Sequence, residues 1–218
     1  MSRYDAVVFD LLTALLDSWT LWDSVAGGEG PGRRWRMAYL KRTYHAGAYR
    51  AYEDVVAEAA AEAGLPPGVT AELVRRWPEL KPWTETHRVL SVLQGMVPLG
   101  MVTNCSEALA RQAVVNLRVP ARVLVSAERA GHYKPQERPY RLALAELGVA
   151  PERALFVAGS AFDVAGAMAV GMTVYWHNRI GLPLLAGSPA PLYHEARLEP
   201  LMDRVAGGGA ASPPLAPH

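Results

Sequence analysis

The chain has 218 residues, half of them apolar, enough to bury one substantial core and to exclude disorder as a whole. Its 22 basic and 21 acidic residues leave a formal charge of +1, which gives no strong field for nucleic acid or an anionic membrane and points to a small-molecule substrate. The single Cys105 excludes an intramolecular disulfide framework. No run approaches the ~20 apolar residues of a membrane helix, and the opening MSRYDAVVFD lacks the pattern of a secretory leader, so the expected location is the cytoplasm.

In chain order, residues 6–9 (AVVF) form a short β-branched run ended by Asp10, which reads as a strand buried on both faces. Residues 18–80 contain no convincing strand and three helix-like pieces, 33–44, 51–63 and 70–76. They are separated by the turn clusters GGEGPG (27–32) and GLPPG (64–68), with Pro82 marking the return. Strand-sized runs then recur at 99–102, 123–125, 154–157 and 173–176, alternating with helix-period segments at 85–93, 107–117, 139–147 and 164–170. Alternation of this kind predicts an α/β fold in which right-handed crossovers build a parallel sheet, with the site at the carboxyl ends of the strands. Residues 207–218 (GGGAASPPLAPH after Ala206) lack apolar periodicity and read as a disordered tail, and no solenoid-period repeat is present.

Four segments where strands end in polar residues carry the chemistry: VVFDLLTALLD (7–17), MVTNCS (101–106), HYKP (132–135) and FVAGSAFD (156–163). Asp10 follows a buried strand, so it is either a carboxylate nucleophile beside a compensating cation or a cap on the following turn. Lys134 is the natural cation, with a solvated surface lysine as the plain alternative. Thr103 and Asn104 offer donors for an oxyanion at a strand-to-helix junction, although Asn104 or Ser106 could equally cap the next helix. Asp163 could fix Lys134, orient a water or complement a helix dipole. Trp19, Trp22, Trp35, Tyr39 and Tyr44 read as the core and seam of the helical stretch rather than a nucleic-acid stacking platform. The six histidines show no paired metal-ligand spacing, and His177 reads as structural.

At Asp10, Thr103, Lys134 and Asp163 the sequence resembles the haloacid dehalogenase-like superfamily, over residues 3–200. The resemblance implies a Rossmann-like parallel sheet core at 1–17 and 82–204, an inserted helical cap domain at 18–81 and a tail at 205–218. Phosphatases of the superfamily carry a second acid where this chain has Leu12 and another where it has Gly159, acids that would protonate a leaving group and help hold magnesium. The closer resemblance is to the L-2-haloacid dehalogenase branch. YKPQERPYRLALAELGV matches its Lys-Pro segment with Tyr140 six residues after the lysine, VYWHNRIG matches its Asn-Arg pair at Asn178 and Arg179, and WRMAYL places its halide-binding arginine at Arg36. Departures are Leu12, Thr13 and Ala14 in the first motif, where the usual hydroxyl is lost or displaced to Thr13, and Ala158 and Ser160 in the last.

That resemblance implies a metal-free hydrolase acting on a short 2-haloacid, with magnesium as the alternative cofactor and a homodimer left open. Asp10 would attack the α-carbon, Thr103 and Asn104 would hold the substrate carboxylate, and Arg36 would receive the halide. Lys134 would keep Asp10 ionised, while Asp163 and Ser160 would steer Lys134 or water; Thr13, Tyr140 and Asn178 complete the expected substrate site. The rivals are a phosphatase or other hydrolase on the same scaffold and a binding protein that has lost catalysis.

Overall fold

The computed structural model describes residues 2–207. The strands β1 (Ala6–Asp10), β2 (Leu99–Thr103), β3 (Val123–Ser126), β4 (Ala154–Ala158), β5 (Thr173–His177) and β6 (Tyr193–Glu195) form one sheet, ordered β3-β2-β1-β4-β5-β6 with every pair parallel. β1 lies in the interior of the sheet and all five of its residues are buried, as a strand covered on both faces requires. The chain steps to β2 and β3 on one side of β1 and to β4, β5 and β6 on the other. The strand order therefore reverses beside the carboxyl end of β1, where open α/β sheets form their crevice.

Between β1 and β2 run α1 (Ser18–Val25), α2 (Glu29–Ala46), α3 (Tyr52–Glu62) and α4 (Val69–Arg75). The remaining helices are α5 (Thr86–Leu93), α6 (Glu107–Val115), the short α7 (Ala127–Ala130), α8 (Glu137–Leu147), α9 (Ala161–Ala169) and α10 (Pro200–Ala206). α1 and α2 cross closely because Gly32 has no side chain: a Cβ there would lie 2.2 Å from Asp23 Oδ1 and 2.5 Å from Asp23 Cα. Arg36 is one helical turn further along α2, so the same close crossing brings it against α1.

Three expectations are corrected. GGEGPG is not wholly a turn, since α2 begins at Glu29 and takes in Pro31, which a first helical turn tolerates, and Gly32. His132–Pro135 does not end a strand; it follows α7, so Lys134 sits on a loop one element beyond β3. The expected tail beginning at 205 is instead partly helix, because Val205 and Ala206 complete α10 and Val205 is fully buried; residues 208–218 lie outside the described residues.

Candidate functional site

Asp10 leaves β1 in an extended conformation and the chain then makes a single π-helical turn, Leu11–Leu15. Asp10 Oδ2 accepts from Thr13 N at 2.8 Å, Thr13 Oγ1 at 2.5 Å and Ala14 N at 3.3 Å, whereas Oδ1 is left to Lys134 Nζ at 2.7 Å. The two readings of Asp10 therefore coexist: one oxygen caps the turn, and the other faces the cation.

The Lys134 ammonium also donates to Asp163 Oδ2 at 3.0 Å and to Val102 O at 3.3 Å, so each of its three protons has an acceptor. Two features hold it there. Asn104 grips the Lys134 backbone from both sides, its Oδ1 accepting from Lys134 N at 2.8 Å and its Nδ2 donating to Lys134 O at 3.1 Å. Gly166 lets α9, which carries Asp163, approach Pro135 so closely that a Cβ would fall 2.7 Å from Pro135 Cβ. Asn104 is thus a brace, not a helix cap, and Ser106 at the start of α6 donates to Glu53 Oε1 at 3.3 Å without capping through its side chain.

Asp10, Lys134 and Asp163 are all buried, and the charges decide how they titrate. Burial pushes Asp10 up, but the Lys134 charge and the Lys134 and Thr13 hydrogen bonds outweigh it, leaving the carboxyl below its ordinary range. Burial pushes Lys134 down, and the two carboxylates more than reverse this. Asp163 is raised to about 6 by burial and by the Asp10 charge, against the pull of Lys134. Two carboxylates share one ammonium, so the first proton taken up belongs on Asp163, the less richly hydrogen-bonded partner.

Above this triad lies a cavity closed by α2. Arg36, Tyr39, Leu40, Thr43 and Tyr44 line it from one side, and Asp10, Leu12, Thr13, Asn104, Lys134, Ser160, Phe162 and Asp163 from the other. Its free volume, about 20 Å³, holds little more than one water. Arg36 is 2% exposed; its Nη2 donates to Ser18 Oγ at 3.0 Å, and its guanidinium lies over Trp22 at 4.6 Å, Trp19 at 5.4 Å and Tyr39 at 5.5 Å. Its Nε and Nη1 are buried with no hydrogen-bond partner. Tyr39 donates its hydroxyl to Asn104 O, and the Tyr44 ring meets Phe162 edge-on at 5.6 Å, so α2 touches the strand-end loops at two points.

Not every candidate reaches the cavity. Thr103 is fully buried and its hydroxyl lies 3.6 Å from Cys105 Sγ, away from the lining. Tyr140 packs on Phe156 beneath the triad, its hydroxyl 3.5 Å from Asp163 O. Asn178 ties its own loop, donating to Leu182 O at 2.8 Å and accepting from Leu182 N at 2.8 Å. Ser160 does line it, with Oγ accepting from Phe162 N at 3.1 Å and the hydroxyl proton left to donate. Thr43 and Phe162 were not singled out in the sequence. Leu40 and Thr43 lie four and seven residues after Arg36, a helical spacing that puts all three on one face.

The family profile for haloacid dehalogenase-like hydrolases matches residues 50–177, more than half of the chain. This chain belongs to the haloacid dehalogenase-like hydrolase family. Among its relatives, an (S)-2-haloacid dehalogenase of Pseudomonas putida is 28% identical over 198 residues, covering 82% of this chain and 86% of that one. A phosphoserine phosphatase of Thermus thermophilus is 35% identical over 145 residues, covering 62% of this chain and 56% of that one. The structure of L-2-haloacid dehalogenase from Xanthobacter autotrophicus superposes with a TM-score of 0.84 at 22% identity, over 94% of this chain and 100% of that one, a likeness of fold. Among the described residues of this family member, no helix is long and apolar enough to cross a membrane.

Proposed function

We propose that the chain hydrolyses the carbon–halogen bond of a short 2-haloacid through an aspartyl ester, with residues 18–81 acting as a cap domain over a core of 1–17 and 82–204. The observation that carries this reading is Arg36: a buried guanidinium with two donors that have no partner, on a residue that lines the cavity of Asp10. Such donors are costly unless an anion takes them up. The named relatives that span most of the chain include (S)-2-haloacid dehalogenases, in line with this reading.

In the first step Asp10 Oδ1 attacks the α-carbon; a C–O bond forms as the C–halogen bond breaks, and the halide departs with the bonding pair toward Arg36. Oδ2, fixed by three donors, stays a spectator. The substrate carboxylate takes the opening N–H groups of the π turn, including that of Leu12, which have no acceptor within the turn, together with the Ser160 hydroxyl. Water then adds to the Asp10 ester carbon and gives one proton to Asp163, raised to about 6 and so able to act as a base at neutral pH. The Cγ–Oδ1 bond breaks, the departing oxygen takes that proton from Asp163 to leave as the 2-hydroxy acid, and the second water proton is lost to solvent as the Asp10 carboxylate is restored. Thr103, buried behind the strand end, has no part in this scheme.

Magnesium, which phosphatases of this superfamily resemble one another in using, does not fit these residues. Leu12 offers no ligand, and a Cβ on Gly159 would lie 2.2 Å from Ala14 N and 2.3 Å from Thr13 Oγ1, so no acid fits there. The position between Asp10 and Asp163 is held by the Lys134 ammonium. Purified protein incubated with L-2-chloropropionate is expected to release chloride and lactate in equal amounts, and Asp10→Asn to abolish both. No halide from any short 2-chloro or 2-bromo acid would overturn the assignment.

A further inference from the structure

The turn that follows Asp10 stops after five residues, because Leu16 is extended, so its last carbonyls have no helical partner. Thr13, Ala14 and Leu15 are buried, and an unpaired carbonyl there is costly. Three side chains from outside the turn supply the donors. Trp83 Nε1 reaches Thr13 O at 3.1 Å, His177 Nδ1 reaches Ala14 O at 2.9 Å, and Thr86 Oγ1 reaches Leu15 O at 2.9 Å; the Trp83 backbone N–H adds a second bond to Leu15 O at 3.1 Å. A carbonyl only accepts, so the His177 Nδ1 carries its proton.

The geometry matters beyond satisfying carbonyls. The Thr13 carbonyl and the Ala14 N–H belong to one rigid peptide plane. Trp83 grips one edge of that plane and Asp10 Oδ2 is hydrogen-bonded to the other, at 3.3 Å. His177 holds the next plane. We infer that Trp83 and His177 are positioning residues: by clamping the peptide planes of the turn they fix the spectator oxygen of Asp10 and so aim the reacting oxygen at the substrate. The inference rests on the proposed reaction for its kinetic part only.

The clamp is itself braced. Arg179 lies over the Trp83 ring at 5.2 Å and donates to Glu85 Oε1 at 2.7 Å, and Glu85 Oε1 is 4.0 Å from His177 Nε2. Trp83 also stands on the segment returning from the helical insertion, which bridges the outgoing segment at Leu16 and Pro82 and through Asp17 N to Lys81 O at 2.7 Å. The segment that hinges the insertion thus also holds the nucleophile's turn.

The test uses Trp83→Phe, His177→Leu and His177→Asn in the full chain. Asn keeps an N–H near the position of Nδ1; Leu does not. Two readouts are taken: amide hydrogen exchange at Thr13 and Ala14, which needs no substrate, and the split between kcat and KM in halide release. Trp83→Phe and His177→Leu are expected to speed exchange at Ala14 about tenfold or more and to lower kcat by up to about 10²-fold, with KM within about twofold. His177→Asn should recover most of both. Unchanged exchange at Thr13 and Ala14 in folded variants overturns the clamp, whether or not the wild type releases halide. Faster exchange with unchanged kcat in an active enzyme, or a loss that His177→Asn does not relieve, overturns the positioning role. A wild type that releases no halide defeats the proposed reaction and leaves the exchange arm to decide the clamp.

Discussion

Lys134 separates two buried carboxylates, and its removal changes how protons distribute between them. With Lys134→Met, Asp10 and Asp163 face each other without a cation, so one must take up a proton and the nucleophile is lost. We expect turnover to fall at least about 10³-fold. The stability consequence depends on pH. In the wild type the depressed Asp10 contributes stability that is present above the unfolded aspartate pKa and lost as pH falls through its depressed value. Without the cation, burial and mutual repulsion raise both carboxyls, so the destabilisation of Lys134→Met is largest at neutral pH, about 3–5 kcal/mol for a broken buried pair, and shrinks as the variant takes up protons toward pH 4. Denaturant melts of both proteins at pH 7.5 and 4.5 check this, and an equal deficit at the two values would contradict it. Arg36 makes the opposite case. Its burial with two unpaired donors is a cost in the free protein, so Arg36→Met should abolish halide release and inhibition by added halide without lowering the thermal midpoint. A midpoint that falls by several degrees would mean that the three aromatic rings around the guanidinium repay its desolvation.

At the scale of elements, the turn after β1 and the β4–α9 loop are fitted to each other by the lack of a side chain at Gly159. Gly159→Ala must displace the Thr13–Ala14 backbone or its own loop. It should lower kcat at least about tenfold while the protein still folds, measured as halide release alongside the thermal midpoint. Full activity in that variant would show that the loop yields without disturbing Asp10. The sequence made the five expected strands and the main helices legible through their periods, because a central parallel strand such as AVVF has few other uses. What it did not disclose had weak local signals. β6 is three residues long, α1 has only eight residues between the nucleophile turn and GGEGPG, and the π turn itself has no sequence period. The carbonyl clamp was hidden for a different reason: Trp83, Thr86 and His177 act through the backbone of distant residues, and neither charge nor spacing marks such a donor. His177 read as a core histidine, and its place beside Ala14 O depends on the pairing of β4 with both β1 and β5.

At the scale of the whole molecule, the chamber above Asp10 exists only where the helices after β1 meet the strand ends. Asp10, Lys134 and Asp163 were legible in the sequence as polar residues of successive motifs, but the chamber's size was not, since Leu40, Thr43 and Tyr44 come to line one space with Phe162 only through the packing of α2 on the sheet loops. The antiparallel bridge of Ala48 with His132, with Tyr133 N donating to Gly47 O at 3.0 Å, ties the end of α2 to the very loop that presents Lys134. A chamber of about 20 Å³ between elements so tied admits a larger substrate only if the α2 side chains withdraw. The Tyr44–Phe162 pair is the natural limit, because both rings line the chamber and each is only partly buried. Removing the outer ring should enlarge the space without touching the triad, the π turn or Arg36. Tyr44→Ala is therefore expected to shift preference toward longer 2-haloacids, raising kcat/KM for 2-bromohexanoate relative to L-2-chloropropionate by about tenfold, the scale that a few methylenes in an apolar pocket contribute. The change should fall mainly in KM for the longer acid, since the reacting groups stay in place. An unaltered preference between the two acids would place the boundary of the chamber elsewhere on α2, with Leu40 the next residue to shorten.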